Sequence, residues 1–397
     1  MKSNYKKLGD FIQVVSIKNT NLKITKLLGV SITKKFISSI ANTIGTDMSK
    51  YKIVKKNQFT YGSITSRNGD KISVALLEDD EAIVSTSYTV FEVIDKDELL
   101  PEYLMMWFRR AEFDRYARYM SHGSTREAFG WDEMCEVELP IPSQEKQKEI
   151  VKEYHTIEKR IQLNEQLNQK LEETAQAIYK EWFVDFEFPD ESDKPYKSSG
   201  GEMEYLDELD MEIPKDWKKS TLSQVANILM GQSPSGDTYN QDRKGEIFYQ
   251  GRTEFSFRFP DIKIYTTNPK RMAKKGNILM SVRAPVGDVN IAKNKCCIGR
   301  GIGSLSSKID CNSFLYYLLQ NIQSIFNTSN DGGTVFGSIT KDELHYIQIL
   351  KPLDDIVKKF NILVLDIDEK IKLKCNELKL LKNFKEVLLS KMATIEE

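Results

Sequence analysis

The feature that most constrains the fold is a pair of long helical segments that lie 210 residues apart. The first begins after Pro142, spans Ser143 to Phe186, and contains neither proline nor glycine. Adding 210 to each position carries Pro142 onto Pro352 and aligns most of the apolar residues that follow. Because 210 is a multiple of seven, both segments keep the same heptad phase. The sequence therefore predicts two copies of one plan, a globular part followed by a long helix.

Both segments carry the apolar spacing of a coiled coil. Two rows of apolar residues, separated by three and four positions, form the interface of such a helix pair. Polar residues interrupt the rows at Asn164 and Lys374, which costs stability but fixes register and partner. At about 1.5 Å per residue the first segment would be roughly 66 Å long. The residues predicted to form the interface are Ile150, Ile157, Ile161, Asn164, Leu171, Ile178, Val364, Ile367, Ile371, Lys374, Leu378 and Leu381.

The predicted fold class is α+β, with two globular α/β-mixed domains in tandem repeat, each followed by a long helix. Strand-like runs precede an aromatic helix in each globular part, predicted at Glu102–Tyr119 and Phe314–Phe326. A short helix is predicted at Leu222–Leu229. The predicted bounds are 1–142 for the first globular domain, 143–186 for the central helix, 187–216 for an exposed connector, 217–352 for the second globular domain and 353–394 for the distal helix.

Charge is distributed unevenly along the chain. Residues 1–60 contain twelve lysines and two acids, and residues 252–300 contain eleven lysines or arginines and three acids. The connector contains eleven acids and three lysines. Each globular part therefore has one basic block, as expected if both contact a polyanion. A solvated lysine-rich surface is the alternative interpretation.

Several enzyme signatures are absent from the sequence. There is no GxxxxGK[ST] phosphate loop and no Asn/Asp-Pro-Pro-aromatic motif of base methylation. The run from Gly299 to Gly303 follows an apparent strand with no helix after it, which argues against dinucleotide binding. Three scattered histidines and five cysteines without a CxxC pair predict neither a metal site nor disulfides. With no signal-peptide pattern and no long apolar run, we expect a non-catalytic cytoplasmic protein.

Several motifs resemble those of the specificity subunit of type I restriction–modification systems, and the resemblance covers nearly the whole chain. The motifs are LPIPSQEKQ at Leu139–Gln147, WFVDFEFP at Trp182–Pro189, PYKSSGG at Pro195–Gly201, SVRAPVG at Ser281–Gly287, GRG at Gly299–Gly301 and GTVFGSIT at Gly333–Thr340. The second proline-containing sequence before a long helix, Leu350–Asp355, departs from the family pattern.

The resemblance implies a DNA sequence-specificity subunit that catalyses nothing itself. Two target-recognition domains would each bind one half of a split, asymmetric DNA target. The long helices would pack as an antiparallel coiled coil that sets the gap between the half-sites. Two modification subunits would dock on these helices and carry S-adenosylmethionine, and restriction subunits that use ATP and Mg²⁺ would join them.

Candidate DNA-binding residues are basic or polar side chains of the basic blocks and loops. Glutamine and arginine can form paired hydrogen bonds with adenine and guanine edges. The candidates are Lys34, Lys35, Arg67, Ser124, Arg126, Gln232, Ser233, Gln250, Arg252, Arg283 and Thr334. The aromatic residues Trp107, Phe108, Tyr316 and Tyr317 are expected to pack into the domain cores instead.

Two other functions remain open at this point. One is a coiled-coil adaptor that dimerises through its helices and binds DNA only non-specifically. The other is a lone nuclease or methyltransferase, against which the missing motifs argue. A sequence-independent DNA affinity would indicate the adaptor.

Overall fold

A computed structural model describes residues 5–39, 45–66, 68–69, 71–122, 127–323 and 337–394. The chain divides into two compact units. The first unit comprises Met1–Glu165 and Asn376–Glu397, and the second comprises Gln166–Cys375. The helices at 144–183 and 354–391 each contribute residues to both units.

The first unit consists of short strands, three short helices and parts of the two long helices. Its strands are β1 Tyr5–Lys7, β2 Ile12–Val15, β3 Ile17–Lys18, β4 Leu28–Val30, β5 Phe36–Ser38, β6 Lys52–Val54, β7 Gln58–Gly62, β8 Ser73–Leu76, β9 Ala82–Val84, β10 Tyr88–Val93 and β11 Glu138–Pro140. Its helices are α1 Pro101–Phe108, α2 Ala111–Tyr119, α3 Trp131–Cys135 and the first part of α4 Gln144–Phe183.

An antiparallel sheet of order β2-β10-β7-β8 forms the centre of the first unit. Aromatic residues of its strands face α1: Phe59 stacks on Phe91 with 4.8 Å between ring centroids, and Phe108 meets Phe59 edge-on at 5.7 Å. A second sheet, β3-β6-β9, and the hairpin β4-β5 complete the domain. Strand β1 pairs with β11 directly before the long helix.

The second unit repeats much of this plan. Its strands are β12 Met203–Leu206, β13 Met211–Pro214, β14 Lys218–Thr221, β15 Ala226–Met230, β16 Tyr239–Asn240, β17 Glu246–Tyr249, β18 Ile264–Thr266, β19 Met272–Ala273, β20 Ile278–Ser281, β21 Val289–Ile291, β22 Cys296–Ile298, β23 Ile302–Ser307 and β24 Gln348–Lys351. Its helices are α5 Leu222–Val225, α6 Asn312–Asn321, α7 Lys341–His345 and the first part of α8 Asp354–Lys391.

The strand order shows how far the repeat extends. The sheet β15-β23-β20-β21 is antiparallel throughout and matches β2-β10-β7-β8 strand for strand. The pair β14-β24 matches β1-β11 and again lies directly before a long helix. The remaining sheets differ, because five strands of order β16-β18-β17-β22-β19 replace three and β17 runs parallel to β22. The tandem repeat of mixed domains is therefore confirmed, and the two domains differ in their second sheet.

The start of α4 is fixed by Gln147, which is fully buried in the first unit. Its Nε2 donates hydrogen bonds to the carbonyl oxygens of Glu98 at 2.8 Å and Pro142 at 2.9 Å, and its Oε1 accepts one from the Leu100 amide at 2.8 Å. The position 210 residues later is Val357, also buried. The start of the distal helix thus has a buried apolar residue where α4 has a hydrogen-bonded glutamine.

Burial along α4 drifts away from a strict heptad. Ile150 and Ile161 are buried, but Leu171 and Ile178 are only half-buried, and the residues that follow each of them, Glu172 and Tyr179, are buried more deeply. A straight α-helix drifts by about 20° per heptad, which explains the one-residue shift. Among the other predicted interface residues, Asn164, Val364 and Ile371 are buried, and Ile157, Ile367, Lys374, Leu378 and Leu381 are half-buried.

Two helix predictions were wrong in extent. The predicted helix Glu102–Tyr119 is two helices, because Arg110 adopts an extended ψ of 140° and places its guanidinium 4.1 Å from the ring centroid of Trp107. The predicted helix Leu222–Leu229 ends at Val225, since the residues after it pair with β23 in the central sheet. Tertiary pairing overrides local propensity here.

The prediction that four aromatic side chains pack into the domain cores is confirmed. The side chains predicted to be packed are buried, namely Trp107, Phe108, Tyr316 and Tyr317. All five cysteines are free, and burial raises the pKa of the Cys296 thiol to about 12. The helices of the described ranges include none long and apolar enough to cross a membrane.

Candidate nucleic-acid interface

Four loops of the second unit meet beside the ends of its strands. The amide of Gln232 donates a hydrogen bond to the Ile298 carbonyl at 3.0 Å, and the amide of Gly299 donates one to the Tyr249 carbonyl at 2.8 Å. These bonds join the loop after β15 to the loop after β22, and that loop to the end of β17. The loops are residues 231–235, 250–255, 282–288 and 299–301.

Glycine makes this close approach possible. A Cβ atom on Gly231 would lie 2.1 Å from the Gly299 carbonyl oxygen, far inside van der Waals contact. A Cβ atom on Gly299 or Gly301 would lie 2.9 or 3.0 Å from the carbonyl oxygen of Gln250. Strand β23 begins directly after this turn, at Ile302. The glycine-rich run therefore follows a strand and has no helix after it, as the sequence predicted, and it brings loop backbones together.

Most of the described candidates of the second domain are exposed on this loop cluster, which comprises residues 231–235, 250–255, 282–288 and 299–301. Gln232, Gln250, Arg252 and Arg283 are exposed. Ser233 is half-buried, and its Oγ accepts a hydrogen bond from the Arg300 amide at 3.1 Å. Residues that are 67 positions apart in sequence, Ser233 and Arg300, are thus brought into one surface by the fold.

Sequence reasoning quoted Arg300 only as part of a glycine motif and did not select it as a candidate. Its side chain is exposed in the turn between β22 and β23, in the same loop cluster as Arg252 and Arg283. The available signal was the arginine flanked by two glycines. Glycine on both sides keeps the neighbouring backbone uncrowded, so a long cationic side chain there is accessible.

Arg252 is part of a small hydrogen-bonded group. It begins a 3-10 turn, Arg252–Glu254, after β17. Its Nε donates to Oδ2 of Asp288, whose Oδ1 accepts a hydrogen bond from Gln323 Nε2 at 2.7 Å. The side chain of Arg252 is 54% exposed and that of Asp288 24% exposed. The arginine is therefore held in place at its Nε and remains open to solvent.

A second chain segment borders the loop cluster. The Ala284 amide donates to the Gly337 carbonyl at 3.0 Å, and the Ile339 amide donates to the Val282 carbonyl at 3.0 Å. Residues 282–284 are thereby paired with residues 337–339. The candidate Thr334 precedes this pairing and lies outside the described residues.

The first unit has the same pairing at the equivalent place. The Phe129 amide donates to the Ser63 carbonyl at 2.8 Å, and Ile64 forms a bridge with Ala128. The neighbouring candidates of this domain lie outside the described residues, and they are Arg67, Ser124 and Arg126. The two domains thus share this pairing of segments at equivalent positions.

The adjacent candidates Lys34 and Lys35 have different environments. Lys34 is 6% exposed, and its Nζ lies 2.6 Å from Oδ1 of Asp114 and 5.4 Å from the ring centroid of Phe113. Burial lowers the pKa of the Lys34 ammonium, and the Asp114 carboxylate opposes that shift. Lys35 is exposed. The Lys34 ammonium is therefore occupied within the domain, and that of Lys35 faces solvent.

Arg258 is a residue of the second domain that sequence reasoning missed. It is 1% exposed, and its guanidinium donates to Glu172 of α4 and to Asp368 of α8. It also donates to the Tyr317 hydroxyl at 3.0 Å and lies 4.1 Å from the ring centroid of Tyr316. Arg258 thus anchors the segment after Arg252 to residues of both long helices that belong to the second unit.

Two copies of one mixed α/β domain, with polar loops gathered at one end of the second copy, define a tandem recognition protein. The protein-family model of the type I restriction modification DNA specificity domain matches residues 2–173 and 214–383. These two matches cover most of the chain. The chain belongs to the family of type I restriction–modification DNA specificity subunits.

Individual relatives agree with this assignment. The chain is 32% identical over 311 residues to a putative type I restriction enzyme MjaX specificity subunit of Methanocaldococcus jannaschii. The matched region covers 76% of this chain and 69% of the relative. It is 24% identical over 408 residues to the type I restriction enzyme HindI specificity subunit of Haemophilus influenzae, with 86% of each chain covered. The crystal structure of a type I restriction–modification S subunit from M. genitalium shares the fold, with a TM-score of 0.58, 15% identity and coverage of 99% of this chain and 96% of that one.

These similarities confirm the family predicted from the motifs, its two tandem recognition domains and its non-catalytic role. They do not favour the interpretation as an adaptor with only non-specific DNA binding. Within the described ranges, no group of three or more His, Cys, Asp or Glu side chains is placed to hold a metal ion.

Proposed function

We propose that each recognition domain binds one half of a split, asymmetric DNA target and that the two long helices set the gap between the halves. The observation that carries this proposal is the loop cluster of the second domain, together with the equivalent pairing of residues 63–64 with residues 128–129 in the first. The exposed arginines and glutamines of the loop cluster are the residue types that form paired hydrogen bonds with base edges. The domains of the proposal are residues 1–142 and 217–352, the spacer helices 143–186 and 353–394, and the connector 187–216.

The proposed DNA-contacting residues are exposed or half-buried polar side chains. They are Lys35, Gln232, Ser233, Gln250, Arg252, Arg283 and Arg300. Arg67, Ser124, Arg126 and Thr334 stay predictions from the sequence. Lysine contacts to phosphate would supply affinity and position, and loop contacts to bases would supply sequence choice.

We infer that the long helices pack antiparallel. Within the first unit, Lys385 Nζ lies 3.1 Å from Glu158 Oε1, and Lys382 Nζ lies 2.8 Å from Glu165 Oε1. Residues later in α4 therefore contact residues earlier in α8, as in an antiparallel pair. Within the second unit, Asn168 Nδ2 donates to Sγ of Cys375 at 3.6 Å, which continues the same trend. A polar pair at such an interface helps to fix the register.

The proposed partners follow from the family. Two modification subunits would bind the helices and supply S-adenosylmethionine and adenine methylation, and restriction subunits would supply ATP- and Mg²⁺-dependent translocation and cleavage. The proposed location is the cytoplasm, where the DNA is. The chain itself would contribute recognition and geometry.

The test of the proposal is a genome-wide map of methylated adenines. The chain would be co-expressed with its modification subunit in a host free of DNA methylation. The expected result is one split motif with a fixed number of unspecified bases between its halves. A stable complex that methylates no defined motif would overturn the proposal and favour a coiled-coil adaptor that binds DNA only non-specifically.

Shortening the spacer should change the gap and leave the half-sites unchanged. Seven residues would be removed within Glu153–Glu173 and the seven equivalent residues within Leu363–Asn383. Seven residues of helix span roughly 10.5 Å, which corresponds to about three base pairs of DNA. The methylation map should therefore show the same half-sites with a gap about three base pairs shorter. Altered half-site sequences would contradict a spacer role. The control removes the seven residues from the central helix alone, which shows the effect of losing the register between the two helices.

An exposed apolar face of α8 is the proposed docking surface for a modification subunit. Leu380, Phe384 and Val387 are 64%, 64% and 51% exposed and lie four and three positions apart, on one face of the helix. Large apolar side chains grouped on a surface mark sites of protein association.

Changing Leu380, Phe384 and Val387 together to glutamine should weaken co-purification with the modification subunit at least tenfold and leave thermal stability of the free chain nearly unchanged. The reason is that the side chains are already exposed, so only the complex loses buried apolar surface. The matched control changes Thr174 and Ala177 of α4, which are equivalent to Phe384 and Val387, to glutamine. Undiminished co-purification of the triple variant would exclude this face.

A further inference from the structure

We propose that Arg252, oriented by Asp288, recognises a guanine in one half of the DNA target. This inference rests on the proposed function, because it assigns one base contact to the loop cluster. It names Arg252 as a specificity-determining residue and Asp288 as its positioning residue.

The guanidinium of Arg252 is bonded at one nitrogen and, among the residues that the structure describes, open at the other two. Arg252 uses its Nε to donate to Asp288 Oδ2. Within the part of the chain that the structure describes, its terminal Nη atoms make no hydrogen bond or ion pair. The side chain is just over half exposed on the loop cluster. Two parallel donors are therefore available to a ligand from solvent.

Asp288 is itself held in place by hydrogen bonds of its backbone and its side chain. Its amide donates to the buried Ser281 Oγ at 3.0 Å, and its carbonyl oxygen accepts a hydrogen bond from the Ser281 amide at 2.8 Å. Its side chain is held from the other side by Gln323 Nε2. Both carboxylate oxygens are thus engaged, one by Gln323 and the other by Arg252. The acid is fixed to the end of β20, so it fixes the arginine in turn.

The free donors of Arg252 match the acceptors of guanine. Guanine presents two acceptors, O6 and N7, in the major groove, and a pair of arginine donors binds both at once. An arginine whose Nε is already bonded offers its two Nη groups end-on in the required geometry. Holding the side chain before binding reduces the conformational entropy lost in the complex. A lysine could not replace this planar pair of donors.

The carboxylate of Asp288 distinguishes base recognition from phosphate binding. A carboxylate at a DNA surface repels phosphates and neutralises a neighbouring cation, which weakens a purely electrostatic contact. Asp288 would therefore be a disadvantage if Arg252 only neutralised a phosphate. It is an advantage if the direction of the guanidinium matters, as it does for a base edge. The pair Arg252–Asp288 therefore favours a contact with a base over a contact with a phosphate.

The experiment compares methylation maps of variants, each co-expressed with the modification subunit as the full chain. The variants are Arg252→Ala, Arg252→Lys and Asp288→Asn. The matched control is Glu246→Gln, because Glu246 is also a paired acid of this domain, with Oε1 3.0 Å from Lys295 Nζ, and lies outside the loop cluster. The melting temperature of each variant is measured alongside, so that loss of folding is recognised.

The expected result concerns one position of one half-site. The wild-type motif contains a G·C pair there, and Arg252→Ala relaxes that position about tenfold or more while keeping the other half-site and the gap. Asp288→Asn relaxes the same position to a smaller degree. Arg252→Lys retains affinity but loses discrimination, and Glu246→Gln retains the wild-type motif.

Three outcomes would overturn the inference. Uniformly weaker methylation of an unchanged motif in Arg252→Ala would identify a phosphate contact. An unchanged map in Arg252→Ala would remove the residue from the interface. Relaxation in Arg252→Ala without any effect of Asp288→Asn would remove the positioning role. A wild-type chain that yields no split motif would instead fail the proposed function itself, so the two failures are distinguishable.

Discussion

Replacing Arg258 by methionine is expected to lower the free energy of unfolding of the second unit by about 3–5 kcal/mol. Methionine fills a similar volume but leaves the carboxylates of Glu172 and Asp368 without their cation. Glu172 is 5% exposed and the Asp368 side chain 15% exposed, so neither is well hydrated. A buried charge that loses its partner keeps its desolvation cost and gains nothing in return. Denaturant unfolding followed by tryptophan fluorescence would measure the loss, because Trp217 is buried in the core of this unit.

The control removes the carboxylate charges as well. In the triple variant Arg258→Met, Glu172→Gln and Asp368→Asn, no uncompensated charge remains in the cluster. We expect the triple variant to recover a large part of the lost stability, because neutral amides cost less to bury than ions. The contrary outcome is a single variant within about 1 kcal/mol of wild type, or a triple variant no more stable than the single one.

The same change should affect DNA recognition at only one half-site. Arg258 anchors the segment that begins at Arg252, and Ser256 between them is held by Asn290 through hydrogen bonds of 3.0 and 3.1 Å. Loss of the anchor would therefore loosen loops of the second domain. The first domain contains none of these residues.

The repeat was predictable because each copy carries a long run of periodic residues whose pattern depends on neighbours in sequence. Pro142 and Pro352 mark two helix starts, and forty residues of periodic sequence average out the exceptions at single positions. The heptad phase was less predictable, since the deeper burial of Glu172 than of Leu171 depends on how the helix surface turns against its neighbours. Leu222–Leu229 shows the limit for short segments, where pairing with a distant strand decided between helix and strand.

The interface was only partly predictable, because residue type gives a charge but not its partner. Arg258 lies in an irregular segment, and its carboxylate partners are 86 and 110 residues away in sequence. Arg252 and Arg258 cannot be told apart by composition, although one is open to solvent and the other is buried. The loop candidates Gln232 and Gln250 were found because glycines mark the turns that carry them. Long-range packing determined the rest.

Replacing Lys34 by methionine is expected to lower the free energy of unfolding of the first unit by about 3 kcal/mol or more. Asp114 would lose an ammonium at 2.6 Å and keep the hydrogen bond from the Ile72 amide at 3.1 Å. The pair is buried, with 6% of the Lys34 side chain and 13% of the Asp114 side chain exposed. Solvent therefore cannot replace the lost interaction. Thermal and denaturant unfolding would measure the change.

Lys35 provides the matched control because it is adjacent and exposed. Lys35→Met should change stability by no more than about 0.5 kcal/mol, as surface substitutions usually do. Its effect should appear in DNA binding instead, where loss of one phosphate contact reduces the slope of log K against log salt by about one. The double variant Lys34→Met and Asp114→Asn should recover stability, because the uncompensated carboxylate is gone. The contrary outcome is that Lys34→Met leaves stability unchanged and weakens DNA binding with the same reduced salt slope. Lys34 would then be a DNA contact, as predicted from the sequence, and not a part of the domain core.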